Sequence, residues 1–409
     1  MHLSAITRTG NHPLLYNKEE TGRIQSVDLL RGIVMIIMAL DHVRDYFHNS
    51  AFLYSPEDLS RTSAAIFFTR WITHFCAPVF VFLAGISAYQ YGEKKGREAL
   101  AFFLFTRGLW LVIAELFIVT FGWTFNPSYP FFNLQVIWAT GISMIVLTSL
   151  IFLDQRIIVL LAILLLAAHN LLDKVHVPGR GITSFAWSLL HEPGYFSFGH
   201  WSFSVRYPLL PWIAIITLGY CFGRLYSPAY TTKKRQRILL LSGTAAVLLF
   251  ITLRSGNFYG DAAHWSGQNK MLFSLLSFLN VTKYPPSFLY SLMTLGPALI
   301  FLSLAEKRML PFAVIFTRIG RVPMFYYLVH IFLIHLLAML MAVITGYHWS
   351  DMVLHMRVNK SPQLKGYGFN LATVYIIWIT VVFVLYPLCR WYGRYKTLHQ
   401  SSKWWLRYV

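Results

Sequence analysis

Five residues hold the groupings most able to do chemistry: Asp41, His42 and Asp45, with Arg44 between them and His48 just beyond. Positions three and four apart share a helix face, so His42 and Asp45 can pair, the carboxylate holding and orienting the imidazole. A histidine held this way suits taking a proton from an amine or hydroxyl, or accepting an acyl group in passing. The same apolar segment begins with a second polar group. Ser26 is a candidate N-cap, Asp28 falls in the first turn where a carboxylate suits the dipole, and Arg31 lies within reach of Asp28. Arg31 and His42 are eleven residues apart. At about 100° per residue they fall within about 20° of one stripe, about 16 Å apart along the axis. A cation at one end suits a phosphate-bearing donor, and an imidazole at the other suits proton or acyl transfer. The plain alternatives are a capping pair at the first end and an interfacial ion cluster at the second.

The segment that carries them, residues 26–48, is otherwise apolar, and composition says what it sits in. The chain is 56% hydrophobic and 17% aromatic but 12% charged, with a mean hydropathy of +0.53; soluble domains carry about 25% charge. This is a membrane protein. A charged side chain at a bilayer centre costs roughly 2.5–3.5 kcal/mol by insertion scales, so charges inside a span mark a wet cavity or one another. The net charge of +19 reflects basic loops between apolar runs, and nucleic acid is not an expected partner. Cys76, Cys221 and Cys389 lie in apolar runs and read as small core residues. Residues 1–23 are polar without an apolar core, so no cleavable signal peptide is expected.

Runs of about 20 apolar residues can cross a bilayer. They fall at roughly 27–47, 70–91, 99–122, 135–153, 156–172, 206–226, 236–254, 287–306, 322–346 and 369–391, ten in all. Most of the 35 Lys and Arg fall in the N-terminal segment, in alternate loops (Lys94, Lys95, Arg97, Lys233, Lys234, Lys307, Arg308, Arg318, Arg321) and in the C-terminal tail. Both termini are therefore predicted cytoplasmic, with the His42 cluster at the non-cytoplasmic end. The expected organisation is a polar segment 1–23, one all-α transmembrane domain over 24–395, and a basic tail 396–409.

Weaker candidates surround this pattern. Glu115 is an acid within the third span, where a carboxylate is a functional hypothesis or a partner for a nearby His or Arg. Arg70 and His74 fall at the mouth of the second span, beside the cluster. His330 and His335 are five apart, about 140° around a helix, so both cannot face one site. The loop aromatics, from Trp123 to Phe132 and from Trp187 to Trp201, read first as an interfacial belt and second as faces for sugar rings. No histidine spacing marks a metal site, and none is expected.

The stretch Ser26-Val27-Asp28-Leu29-Leu30-Arg31-Gly32, followed by an apolar run into His42, resembles the first catalytic helix of the heparan-α-glucosaminide N-acetyltransferase family and its bacterial members. The arginine–histidine spacing also resembles the integral-membrane acyltransferase-3 family. THFCAPVFVFLAGISA (73–88), YPLLPWIAIITLGYCFG (207–223) and KYPPSFLYSLMTLGPAL (283–299) fit in order, as does Gly320-Arg321-Val322-Pro323-Met324-Phe325-Tyr326-Tyr327-Leu328-Val329-His330. The resemblance implies acyl transfer from cytoplasmic acetyl-CoA to a sugar amine or hydroxyl across a bacterial cytoplasmic membrane. In lysosomal members an asparagine takes the place of His42, and the catalytic histidine lies farther on beside a Trp-Asn-Gly stretch. Here His48 is followed by Asn49-Ser50-Ala51-Phe52. His42 and His48 are thus both candidates, with His42 first because its register matches Arg31.

The leading expectation is a transmembrane acyltransferase. His42, Asp45, His48 and Asp41 form its catalytic cluster, and Arg31, Asp28, Arg318 and Arg321 hold the CoA phosphates. Arg44, Arg70, His74, Glu115 and His330 complete the set. The alternative is a proton-coupled transporter using Asp41, His42, Asp45 and Glu115 as a relay. Expected partners are the bilayer, a glycan or small-molecule acceptor and, as an option, a second copy of the chain.

Overall fold

The computed structural model describes residues 24–306 and 313–408. The expected polar segment 1–23, and Lys307 and Arg308 of the charge asymmetry, lie outside the described residues. The helices, in chain order, are α1 (Gln25–Phe47), α2 (Ala64–Lys95), α3 (Arg97–Thr124), α4 (Val136–Leu150), α5 (Gln155–Lys174) and α6 (Ile182–Leu190). They continue with α7 (Leu209–Tyr226), α8 (Thr232–Ser255), α9 (Met271–Leu279), α10 (Phe288–Ala305), α11 (Ala313–Gly320), α12 (Pro323–Ile344) and α13 (Leu371–His399). Eight of them, α2, α3, α5, α7, α8, α10, α12 and α13, are long and apolar enough to cross a membrane. The other two expected spans are also helical. By the same measure α1 carries too many charges, and α4, with 15 residues, is too short.

The chain is not all-α. The aromatic loops on either side of α4–α6 form a three-stranded sheet of β1 (Phe131–Leu134), β2 (Gly194–Phe198) and β3 (Trp201–Val205), in the order β1-β3-β2. β2 and β3 form an antiparallel hairpin, while β1 joins β3 in parallel, Leu134 opposite Val205. Gln135 and Arg206 follow directly on those paired ends.

α1 is the hub. It packs on α2, α11, α12 and α13, and most of its residues are buried. Peripheral helices such as α8 and α13 instead leave large apolar side chains exposed, Phe383 among them, as a lipid-facing surface requires. Two glycines bring α1 and α11 together: a Cβ at Gly32 would lie 1.8 Å from Phe316 O, and one at Gly320 1.9 Å from Asp28 O. Small residues at such crossings let backbones meet directly.

Candidate active site

At the Arg31 end of α1, the guanidinium is held from several sides. Nη1 donates to Asp28 Oδ1 at 2.8 Å and Gly320 O at 3.3 Å, and Nη2 donates to Ser87 Oγ at 2.7 Å and Leu83 O at 3.5 Å. Arg321 Nε lies 3.8 Å from Asp28 Oδ2. Arg31, Arg321 and Lys94 line a cavity of about 340 Å³ with Asp28, Ser87 and Gln90. Arg318 does not join them; its Nη1 donates to Tyr386 Oη at 2.6 Å on α13. The expected pairing of Asp28 with Arg31 is present, and the expected grouping of Arg318 with Arg321 is not.

At the His42 end, the imidazole meets a different partner from the one its spacing suggested. His42 Nδ1 is 2.7 Å from His330 Nε2, and His330 Nδ1 is 2.9 Å from Tyr326 O. A carbonyl only accepts, so His330 carries its proton on Nδ1 and, when neutral, presents a lone pair at Nε2. His42 Nδ1–H then donates to that lone pair. Its Nε2, with no hydrogen-bond partner among the described residues, is left as the nitrogen able to meet a substrate. The hydrogen bond made by one ring nitrogen commonly fixes a histidine tautomer in this way. Trp123 packs edge-on to His42, ring centroids 4.8 Å apart.

The acids nearby are engaged by arginine. Arg70 Nη1 donates to both oxygens of Asp41 at 2.8 Å, and its Nε donates to Glu57 Oε1 at 2.9 Å. Arg44 Nη2 pairs with Asp41 at 2.9 Å and with Asp45 at 2.6 Å. Glu57 Oε1 also lies 3.2 Å from His74 Nε2, and Lys283 Nζ is 3.9 Å from Asp41. Burial opposes ionisation of the Glu57 carboxyl, but Arg70 and His74 more than offset it and hold it well below the usual range. Asp45 is therefore an arginine partner rather than the imidazole's, because Arg44 beside it reaches it first. A cavity of about 300 Å³ collects His42, Asp41, Asp45, Arg70 and Trp123.

Two sequence candidates are hydrogen-bonded to nearby backbone here. His48 Nδ1 accepts from Ser50 N at 3.2 Å and lies 2.6 Å from Ser50 Oγ, capping the turn after α1; His48 lines neither cavity. Glu115 Oε2 accepts from Trp138 N at 3.0 Å, taking up one of the orphan N–H groups at the start of α4. His335 bridges Gly122 O and Met352 O at 2.9 and 2.8 Å, apart from His42. Sequence reasoning missed Glu57, Lys283, Arg206 and Arg357, which come from distant loops and have no spacing to announce them. Among the described residues no group of His, Cys, Asp and Glu could hold a metal ion.

A family model described as heparan-alpha-glucosaminide N-acetyltransferase, catalytic, matches residues 23–263, from the start of α1 to beyond α8. The chain belongs to this family. No curated protein matches it. Within the heparan-alpha-glucosaminide N-acetyltransferase match lie Asp28, Arg31, the Asp41–His48 cluster, Glu57, Arg70 and His74, whereas His330 and Lys283 lie outside it. The matched residues thus contain His42, and its hydrogen-bond partner His330 lies in the remainder of the chain.

Proposed function

We propose that this protein moves an acetyl group from acetyl-CoA, bound at the Arg31 end of α1, to an amine or hydroxyl of a sugar at the His42 end. Ten spans, counting α1 and α4, would put both termini in the cytoplasm and the His42 cavity on the far side of a bacterial cytoplasmic membrane. The observation that carries this reading is the chain Tyr326 O, His330, His42, which leaves His42 Nε2 unprotonated beside a cavity. As the acceptor attacks the thioester carbonyl, Nε2 takes its proton and CoA leaves as the thiolate. The imidazolium so formed keeps its Nδ1–H on His330. The same lone pair can instead accept the acetyl group and pass it on, in which case CoA is released before any acceptor is present. At the donor end, Arg31, Arg321 and Lys94 offer cations to phosphate, with Arg31 held in place by its protein acceptors.

Family membership favours this chemistry over proton-coupled transport. The test is the purified chain in sealed vesicles, with labelled acetyl-CoA on one face and glucosamine on the other. Labelled N-acetylglucosamine should appear on the acceptor face. Passage of glucosamine without acetylation would replace the enzyme by a transporter. Reporter fusions after residues 95 and 234 should report cytoplasm, and those after 128 and 190 the other side.

A further inference from the structure

The cavity beside His42 carries more positive charge than its own acids take up. Asp41, Asp45 and Glu57 are its carboxylates, and Arg44, Arg70 and Lys283 are paired with them. Arg206, Arg357 and Lys360 line the same space, and among the described residues none of the three lies within ion-pair distance of a carboxylate. Arg206 lies over the Tyr284 ring, its Cζ 4.1 Å from the centroid. Behind the lining, Arg44 Nε and Nη1 are buried and have no acceptor among the described residues. The loops register the resulting field. Burial and the neighbouring Arg206 bring Arg357 down to about 10. Burial opposes ionisation of Tyr284, yet Arg206, Lys283 and Arg70 more than offset it and hold its hydroxyl below the usual tyrosine range.

The positions of these cations are built in. Arg206 follows β3 at the end paired with β1, and a slip of one residue in a strand turns every side chain to the opposite face. Arg357 leads into a short helical turn at Val358–Lys360. Guanidinium forks match carboxylate, phosphate and sulfate oxygens in pairs. A volume of about 300 Å³ is at the lower end of small-molecule sites, enough for one sugar and its acidic substituent.

We infer that this cavity is an anion subsite for the acyl acceptor: Arg206 and Arg357 hold an acidic group on the sugar while its amine or hydroxyl faces His42 Nε2. The word acceptor rests on the acyl-transfer reading, whereas the anion subsite rests on the cavity alone. The acid can belong to a soluble sugar or to a lipid phosphate carrying the sugar.

The test measures binding and transfer separately, on the full chain in neutral detergent, with glucosamine 6-phosphate and glucosamine as probes. Glucosamine 6-phosphate should bind roughly 10- to 100-fold more tightly, the value of one charge-assisted hydrogen bond, and should do so in His42→Ala as well. Arg206→Gln and Arg357→Gln should each collapse that ratio, and Arg357→Lys should restore part of it. Equal binding of the two sugars, or a ratio untouched by both glutamine variants, would overturn the subsite. Competition by phosphatidylglycerol vesicles but not phosphatidylcholine vesicles would support it and assign the acid to lipid. Intact selectivity without transfer to any acceptor would support the subsite and count against the acyl-transfer reading instead.

Discussion

The two ends of α1 solve the same problem, charge inside an apolar bundle, in different ways. At the Arg31 end, among the described residues, Asp28 pairs with Arg31 from the same helix, and carbonyl and hydroxyl oxygens of α2 and α11 accept further bonds. At the His42 end, three acids and three cations from α1, α2 and two loops form a connected network, and the imidazole itself pairs with α12. The Asp28–Arg31 pair, made within one helix, is written in local spacing. A site assembled from four segments is not, and its failure on mutation should be correspondingly broader.

The sharpest break between the ends is His42→Ala. It should lower acetyl transfer by roughly 10²–10⁴-fold, the value of a positioned base, while acetyl-CoA binding at the Arg31 end is kept; loss of both would merge the two sites. Arg70→Met comes next. It removes the bidentate partner of Asp41 and the Nε–H bond to Glu57, leaving Asp41 to Arg44 and Lys283 and Glu57 to His74, so the cost should approach but not exceed the roughly 3–5 kcal/mol of a fully broken buried pair. Thermal unfolding in detergent should fall steeply, and a variant as stable as the parent would show that the network is not structural. Arg31→Ala should weaken acetyl-CoA binding by about 1.5–3 kcal/mol and lower the unfolding temperature less than Arg70→Met, since the ion pair with Asp28 is lost and Arg321 stays beside that carboxylate. Unchanged binding would make Arg31 a capping residue. The smallest effect belongs to His48→Ala, which removes a turn cap worth about 1 kcal/mol and should leave transfer near that of the parent. Transfer lost in His48→Ala and kept in His42→Ala would move the chemistry by six residues along the chain.

The same contrast explains what could be read from the sequence. The apolar runs and the pairing of Asp28 with Arg31 are governed by hydropathy and by i, i+3 geometry, and both are present. The pairing of His42 with Asp45 obeyed the same geometry and lost to competition, since Arg44 engages Asp45 and α12 brings His330 to the imidazole. Glu115 looked like a stray intramembrane acid, and its partner is a backbone N–H of the next helix, which has no residue type to reveal it. The sheet was hidden because strands of four and five aromatic-rich residues resemble an interfacial belt, and β1 pairs with a strand about seventy residues later. The substitutions at His42 and Arg31 decide the roles proposed for those two residues.

The direct backbone contact at Gly32 and Gly320 makes a single strut of α1 and α11. A strut with no side chains between its halves has no slack for turning or sliding, so it works as a ruler. The span from Arg31 to His42 is fixed at about 16 Å, and the two cavities share no lining residue. Whatever carries the acyl group must therefore bring its own reach. A donor whose acyl carbon adjoins its phosphate, such as acetyl phosphate, would dock at one end of the scale and fall short of the other.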